Sequence, residues 1–167
     1  YPPGSRFKWN VEVLWAVDGY LQQATREKRE AFFAAVQAGQ VGLDALYGNM
    51  LTGLCRPEEL LRMLRMGPEL TKRTGVPVES AMITDVPGYT WGTVSAFAHT
   101  GVKYFSMGPN GGDRIGHTTA ARGDKPFWWI GPNGRDKLLV WMTGTRNNRV
   151  FSSGEKLLNY LTRLEQG

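Results

Sequence analysis

Short apolar strands alternating with amphipathic helices predict an α/β fold: part of an irregular (β/α) barrel with parallel strands and a hairpin near the C-terminal third. Three observations carry this expectation. Four times a run of aromatic and β-branched residues alternates with a stretch whose apolar residues recur at helical spacing, the pattern of parallel strands joined by crossover helices. Gly131-Pro132-Asn133-Gly134 separates two further apolar runs, which reads as a hairpin turn. The 167 residues also fall well short of the roughly 250 that a closed barrel of eight strand-helix units takes. The expected organisation is one domain over residues 1–167, a partial barrel lacking its first strand and its C-terminal part. The opening Tyr1-Pro2-Pro3-Gly4, without Met, reads as a cut from something longer.

A first strand is predicted over residues 7–14, rich in aromatic and β-branched side chains, followed by a short helix over 16–23. Thr25 is an N-cap for a helix over 26–38, whose Phe32, Phe33 and Val36 recur at helical spacing before Gly39 and belong in the core. The second strand is 41–47. Pro57 opens a helix that Gly75 stops, and Pro68 breaks or kinks it midway because proline has no N–H to give the helix. Leu60, Leu61, Met63, Leu64 and Met66 are assigned to packing. A third strand over 78–83, a helix over 91–99 ended by Gly101, and a fourth strand over 102–106 follow. Residues 108–126 are a long Gly-rich loop, of the kind that often carries function. Strands at 127–130 and 137–142 form the hairpin, and Ser152 with Glu155 has capping-box spacing before the last helix.

Composition narrows the function classes. A 41% hydrophobic content supports a real core. The net charge of +5 is mixed along the chain, with no basic stripe and no nucleic-acid motif, so it reads as a solvated surface. No run is long and apolar enough to span a bilayer. The single cysteine, Cys55, excludes an intrachain disulfide.

The chemistry points first to Asp85, which stands directly after an apolar run and before Pro87-Gly88. In α/β barrels and open α/β sheets, that address at the carboxyl end of a strand is where active sites are built. On a connecting loop the same Asp could instead cap the following helix, since Asp is a favoured N-cap. His99 is read as structural, at a helix C-terminus where positive charge is favoured. His117, with Asp113 and Arg114, belongs to the long loop and is read as solvated. The two histidines share neither a helix face nor a metal-ligand spacing.

The order of motifs resembles the N-terminal catalytic domain of glycoside hydrolase family 38, the α-mannosidases, from about Phe7 to Trp141. Phe7-Lys8-Trp9-Asn10-Val11-Glu12-Val13-Leu14-Trp15 is similar to the family's second strand, a Glu followed by aromatic residues. The segments from Gly39-Gln40-Val41 to Tyr47-Gly48-Asn49, Val102-Lys103-Tyr104-Phe105 and Phe127-Trp128-Trp129 match in the same order. Asp85-Val86-Pro87-Gly88 matches the family's Asp-x-x-Gly, and the continuation Asp-x-x-Gly-Tyr-x-Trp resembles a divergent bacterial branch. Typical members carry an aromatic residue two places after the Asp and a His after the Gly, where this chain has Pro87 and Tyr89, so sugar contacts made there do not carry over. The family's His-x-Asp zinc motif is absent, as expected of a chain that starts after it.

The resemblance implies an irregular barrel of the glycoside hydrolase/deacetylase type and a zinc-dependent retaining glycoside hydrolase acting on α-mannosides or related glycans. It implies Asp85 as nucleophile and as one zinc ligand, the other ligands and the general acid lying outside this chain. Trp91, Tyr89, Asn49, Tyr47 and Glu12 become substrate-binding candidates. The aromatics either stack on sugar faces or fill the core, and Glu12 either supports the catalytic group or forms half of a buried ion pair. The implied partner is a carbohydrate substrate, with neither nucleic acid nor a membrane span. Two other functions stay open: a polysaccharide deacetylase-like metal hydrolase, which the lack of His-x-x-x-His disfavours, and a non-catalytic carbohydrate-binding relative.

Overall fold

The computed structural model describes residues 7–110, 121, 125–142 and 154–165. The chain alternates strand and helix in the order β1 (Trp9–Val11), α1 (Leu14–Gln23), α2 (Arg26–Gln37), β2 (Val41–Leu43), α3 (Pro57–Met63), α4 (Met66–Thr74), β3 (Ser80–Val86), α5 (Thr93–His99), β4 (Tyr104–Pro109), β5 (Pro126–Ile130), β6 (Lys137–Met142) and α6 (Gly154–Glu165), with a 3-10 turn at Thr52–Leu54. Strands β1 and β2 pair in parallel as one sheet, and a second sheet has the order β3-β4-β6-β5. Its β3-β4 and β4-β6 pairs are parallel and its β5-β6 pair antiparallel. The α/β class, the parallel strands and the hairpin are as expected. The described strands close no barrel: they form two sheets, linked where the Ala45 N–H just past β2 donates to the Ser80 carbonyl.

Local chemistry accounts for the helix limits. The Thr25 hydroxyl accepts from the Lys28 N–H at the start of α2, satisfying one of the donors a helix leaves open there. Glu59 accepts from the Arg56 N–H at the start of α3, whose first residue is Pro57. The expected break near Pro68 is found slightly upstream, between Met63 and Met66. Proline at 68 cannot donate to the carbonyl four residues back and its ring crowds that carbonyl, so α4 starts afresh with Pro68 in its first turn. Gly75 ends α4 in the left-handed region, with φ 72°.

Strand limits differ more from expectation. The strand placed at 7–14 shrinks to three residues, because the Leu14 and Trp15 N–H groups turn away to the carbonyls of Leu46 and Tyr47 and helix α1 begins there. The strand placed at 41–47 likewise ends at Leu43, its continuation bonding to β3 and to α3 instead. Strands β3 and β4 run to Val86 and Pro109, each three residues past the expected end, since each is the other's hydrogen-bonding partner. Helix α5 starts at Thr93, not 91. Ser152 lies outside the described residues.

One face of the second sheet is the core: Ala81, Ile83, Phe105, Met107, Leu138, Val140 and Met142 alternate along their strands and are buried beneath α5 with Val94 and Phe97. Phe105 sits at the centre, edge-on to Phe97 at 5.1 Å and to Tyr89 at 5.6 Å, and stacked on Trp129 at 6.4 Å. Burying one such ring is worth about 1.5–3 kcal/mol, with more from the aromatic geometry. Phe33 and Val36 are buried and Phe32 packs on the core. Leu60 and Leu64 are buried and Met63 and Met66 pack against them, whereas Leu61, assigned to packing by its periodicity, is exposed: it falls on the solvent side of a helix only seven residues long.

Candidate functional site

The site forms where β3 leaves the sheet. In β3 the side chains alternate up to Thr84, after which Ile83 and Val86 both face the core. Between them the register jumps: Thr84 pairs with Gly108 and Val86 with Pro109, leaving Asp85 as the inserted residue of a β-bulge. Asp85 is thus inside the strand, not on the connecting loop as expected. It is also the one non-glycine residue with positive φ among the described residues, at 56°. Such a conformation costs on the order of 1–3 kcal/mol and persists only where neighbours enforce it, most often at functional sites.

Those neighbours are identifiable. The Thr84 hydroxyl donates to Glu12 Oε1, and the Asn49 side-chain amide donates to the Thr84 carbonyl at 2.7 Å. The Asn110 amide donates to Asp85 Oδ1 at 2.6 Å, while the Asn110 backbone N–H donates to the Val86 carbonyl at 3.0 Å. Tyr89 lies half-buried on Phe105 and donates from its hydroxyl to the Ile83 carbonyl at 3.2 Å. Burial pushes its phenol well above the usual tyrosine range, so it stays a neutral donor. Asp85 caps no helix: α5 begins at Thr93 with Gly92 as its N-cap and no side-chain cap bond.

Of the expected site residues, Glu12, Asn49 and Tyr89 therefore gather around Asp85 through the backbone and side chain of β3. Two others are tied elsewhere. Tyr47 donates from its hydroxyl to Asp18 Oδ2 at 2.8 Å, and Trp91 donates from its indole to the Ile130 carbonyl at 2.6 Å while 56% of its surface stays exposed. Neither aromatic is core, so both rings remain available to a ligand. Glu12 forms no ion pair among the described residues; it accepts from the Thr84 hydroxyl. His99 lies at the end of α5 with Nε2 3.5 Å from Asp136 Oδ2. His117, Asp113 and Arg114 lie outside the described residues.

Deeper on the same face of β3 is a group that periodicity concealed. Asp44 is buried, with Ser80 donating to Oδ1 at 2.7 Å and Asn10 to Oδ2 at 2.9 Å. Burial pushes its carboxyl above the usual range and the nearby Glu12 charge adds to this, against the two hydrogen bonds. It lines a cavity of about 350 Å³ with Asn10, Ser80, Met82 and Tyr104. Asp44 escaped notice inside the apolar run Leu43-Asp44-Ala45-Leu46. The apolar pattern ends the fourth strand at 106 and so hides Asn110, which at the end of a strand through Pro109 meets the same criterion as Asp85.

The arrangement offers one exposed carboxylate with one oxygen fixed by an amide, flanked by hydroxyl, amide and aromatic groups. This suits a nucleophile or a ligand. Among the described residues no three of His, Cys, Asp or Glu come together to hold a metal ion, so these residues do not by themselves make a zinc site. No described helix is long and apolar enough to cross a membrane.

No protein-family model matches the sequence and no curated protein matches it. Solved structures do. An α-mannosidase from Enterococcus faecalis V583 superposes with a TM-score of 0.65 at 20% identity, over 95% of this chain and 18% of that one. A protein in glycosyl hydrolase family 38 from Enterococcus faecalis gives 0.60 at 19%, over 95% and 17%, and a 4-α-glucanotransferase from Thermococcus litoralis 0.63 at 14%, over 93% and 24%. The chain spans less than a quarter of the length of each. Over that span its fold is that of the family 38 α-mannosidases, which its order of motifs also resembles.

Proposed function

We propose that this chain is part of a zinc-dependent retaining glycoside hydrolase acting on α-mannosides or related glycans, its two sheets forming part of an irregular (β/α) barrel, with Asp85 as the nucleophile. The observation that supports this reading most is the left-handed Asp85 at the bulge, on a strand end of a fold shared with α-mannosidases. A β-strand accepts such strain where a side chain must be aimed out of the sheet.

In the reaction, a carboxylate oxygen of Asp85 attacks the anomeric carbon as the glycosidic C–O bond breaks, and a general acid protonates the leaving oxygen. Water then releases the sugar, and the same acid, now a base, takes the water's proton. The acid is a second carboxyl group about 5–5.5 Å from the nucleophile in enzymes of this class. Tyr89, Trp91, Tyr47 and Asn49 supply aromatic faces and an amide around the sugar, and Glu12 steadies Thr84. Zinc, bound by Asp85 and by groups outside this chain, would hold sugar hydroxyls.

The test is Asp85→Asn in an enzyme that carries this chain and turns over aryl α-mannosides. The amide is a poor nucleophile and has no charge to stabilise an oxocarbenium-like transition state, so turnover is expected to vanish. A fluorinated glycoside is expected to label Asp85 in the parent and nothing in the variant. A kcat within about tenfold of the parent, a barrier change near 1.4 kcal/mol, would remove Asp85 from the chemistry.

A further inference from the structure

We propose that Asn110 is the positioning residue for the nucleophile, selecting which oxygen of Asp85 reacts; this rests on the reading of Asp85 given above. Two bonds place Asn110. Its N–H donates to the Val86 carbonyl across the β3–β4 ladder at 3.0 Å, and its side-chain amide donates to Asp85 Oδ1 at 2.6 Å. The first is set by the pairing of Val86 with Pro109, so the amide is presented to the bulge by the sheet itself and not by a loose side chain.

The consequence is an asymmetric carboxylate. Oδ1 is held by the amide, and no hydrogen bond reaches Oδ2 among the described residues, which leaves Oδ2 as the oxygen to attack. Glu12 and Asn49 act one residue earlier, on the Thr84 hydroxyl and carbonyl. Asn110 is the described residue that bonds to the carboxylate itself.

Asn110→Asp is the decisive variant, because it keeps shape, volume and backbone N–H while turning the donor into a second carboxylate. In the active enzyme it is expected to lower kcat by about 10²-fold, the scale of loss for an angstrom of misplacement, with KM within threefold and the melting temperature within a few degrees. Asn110→Ala is expected to lose as much or less, and Asn110→Gln, which keeps the amide, to recover part of the loss. Labelling of Asp85 by a fluorinated glycoside is expected to slow in parallel. An Asn110→Asp enzyme with kcat within threefold of the parent, or one that loses KM alone, overturns the proposal. Should Asn110→Asp fail to fold, the Ala and Gln pair decides: equal kcat in the two overturns it. Should Asp85→Asn remain active, the reading of Asp85 falls, whatever Asn110 does; an inactive Asp85→Asn beside an active Asn110→Asp removes the role of Asn110 alone.

Discussion

Asp44 shows how a single buried carboxyl ties the fold to pH. Its side chain bridges β1 and β3 through Asn10 and Ser80, and burial raises its pKa above the ordinary carboxylate value. A carboxyl with a raised folded pKa binds its proton more tightly in the native state than in the unfolded one. Its contribution to stability is therefore fullest below the unfolded pKa near 4 and declines as pH rises through the folded pKa. Asp44→Asn has no charge to bury, and Asn10 can turn its amide to present oxygen to the new NH2 group. Denaturant titrations between pH 4 and 7 are expected to show the parent losing stability relative to Asp44→Asn as pH rises, while parallel curves would show that Asp44 does not titrate differently on folding. The sequence makes Asp85 visible because a carboxylate between an apolar run and Pro87-Gly88 is a local pattern. Asp44 was invisible because its partners lie 34 and 36 residues away.

At the level of elements, helix limits are legible in the sequence where they obey nearest-neighbour chemistry. Thr25 caps α2, Pro57 opens α3, and Gly75 closes α4 with φ 72°. The last of these is testable: a side chain at a left-handed C-cap costs about 1–2 kcal/mol, and the substitution adds no packing because open space surrounds a Cβ built there. Gly75→Ala is expected to destabilise by roughly 1 kcal/mol, measured as a shift in the urea midpoint at unchanged slope; an unchanged midpoint would refute the cap. The β5–β6 hairpin was equally legible, since Gly134 takes the left-handed turn and Asn133 accepts from the Arg135 and Asp136 N–H groups.

On the scale of the whole molecule, this chain matches 18% of an α-mannosidase chain with the same fold. The described residues bring no three metal-binding side chains together, and zinc normally takes three or four protein ligands. The 167-residue chain alone is expected to bind zinc weakly and to leave aryl α-mannosides unhydrolysed above a heat-killed control. Calorimetric titration with a tight, stoichiometric zinc site would contradict this and would direct attention to His117 and Asp113.

The sequence by itself determined the α/β class, several helix limits, among them Thr25, Pro57 and Gly75, the hairpin, and the choice of Asp85 as the candidate carboxylate. Each depends on residues a few positions apart: apolar spacing, a cap, a glycine, a proline. Tertiary structure alone decided where strands begin and end, because a strand lasts only as long as a partner accepts its hydrogen bonds. That is why β1 stops at Val11 while β3 and β4 extend to Val86 and Pro109. From the extended β3–β4 pairing came the bulge, the left-handed backbone at Asp85 and the meeting of its carboxylate with Asn110, 25 residues away. No local pattern records that meeting, since it exists only in the register between two strands.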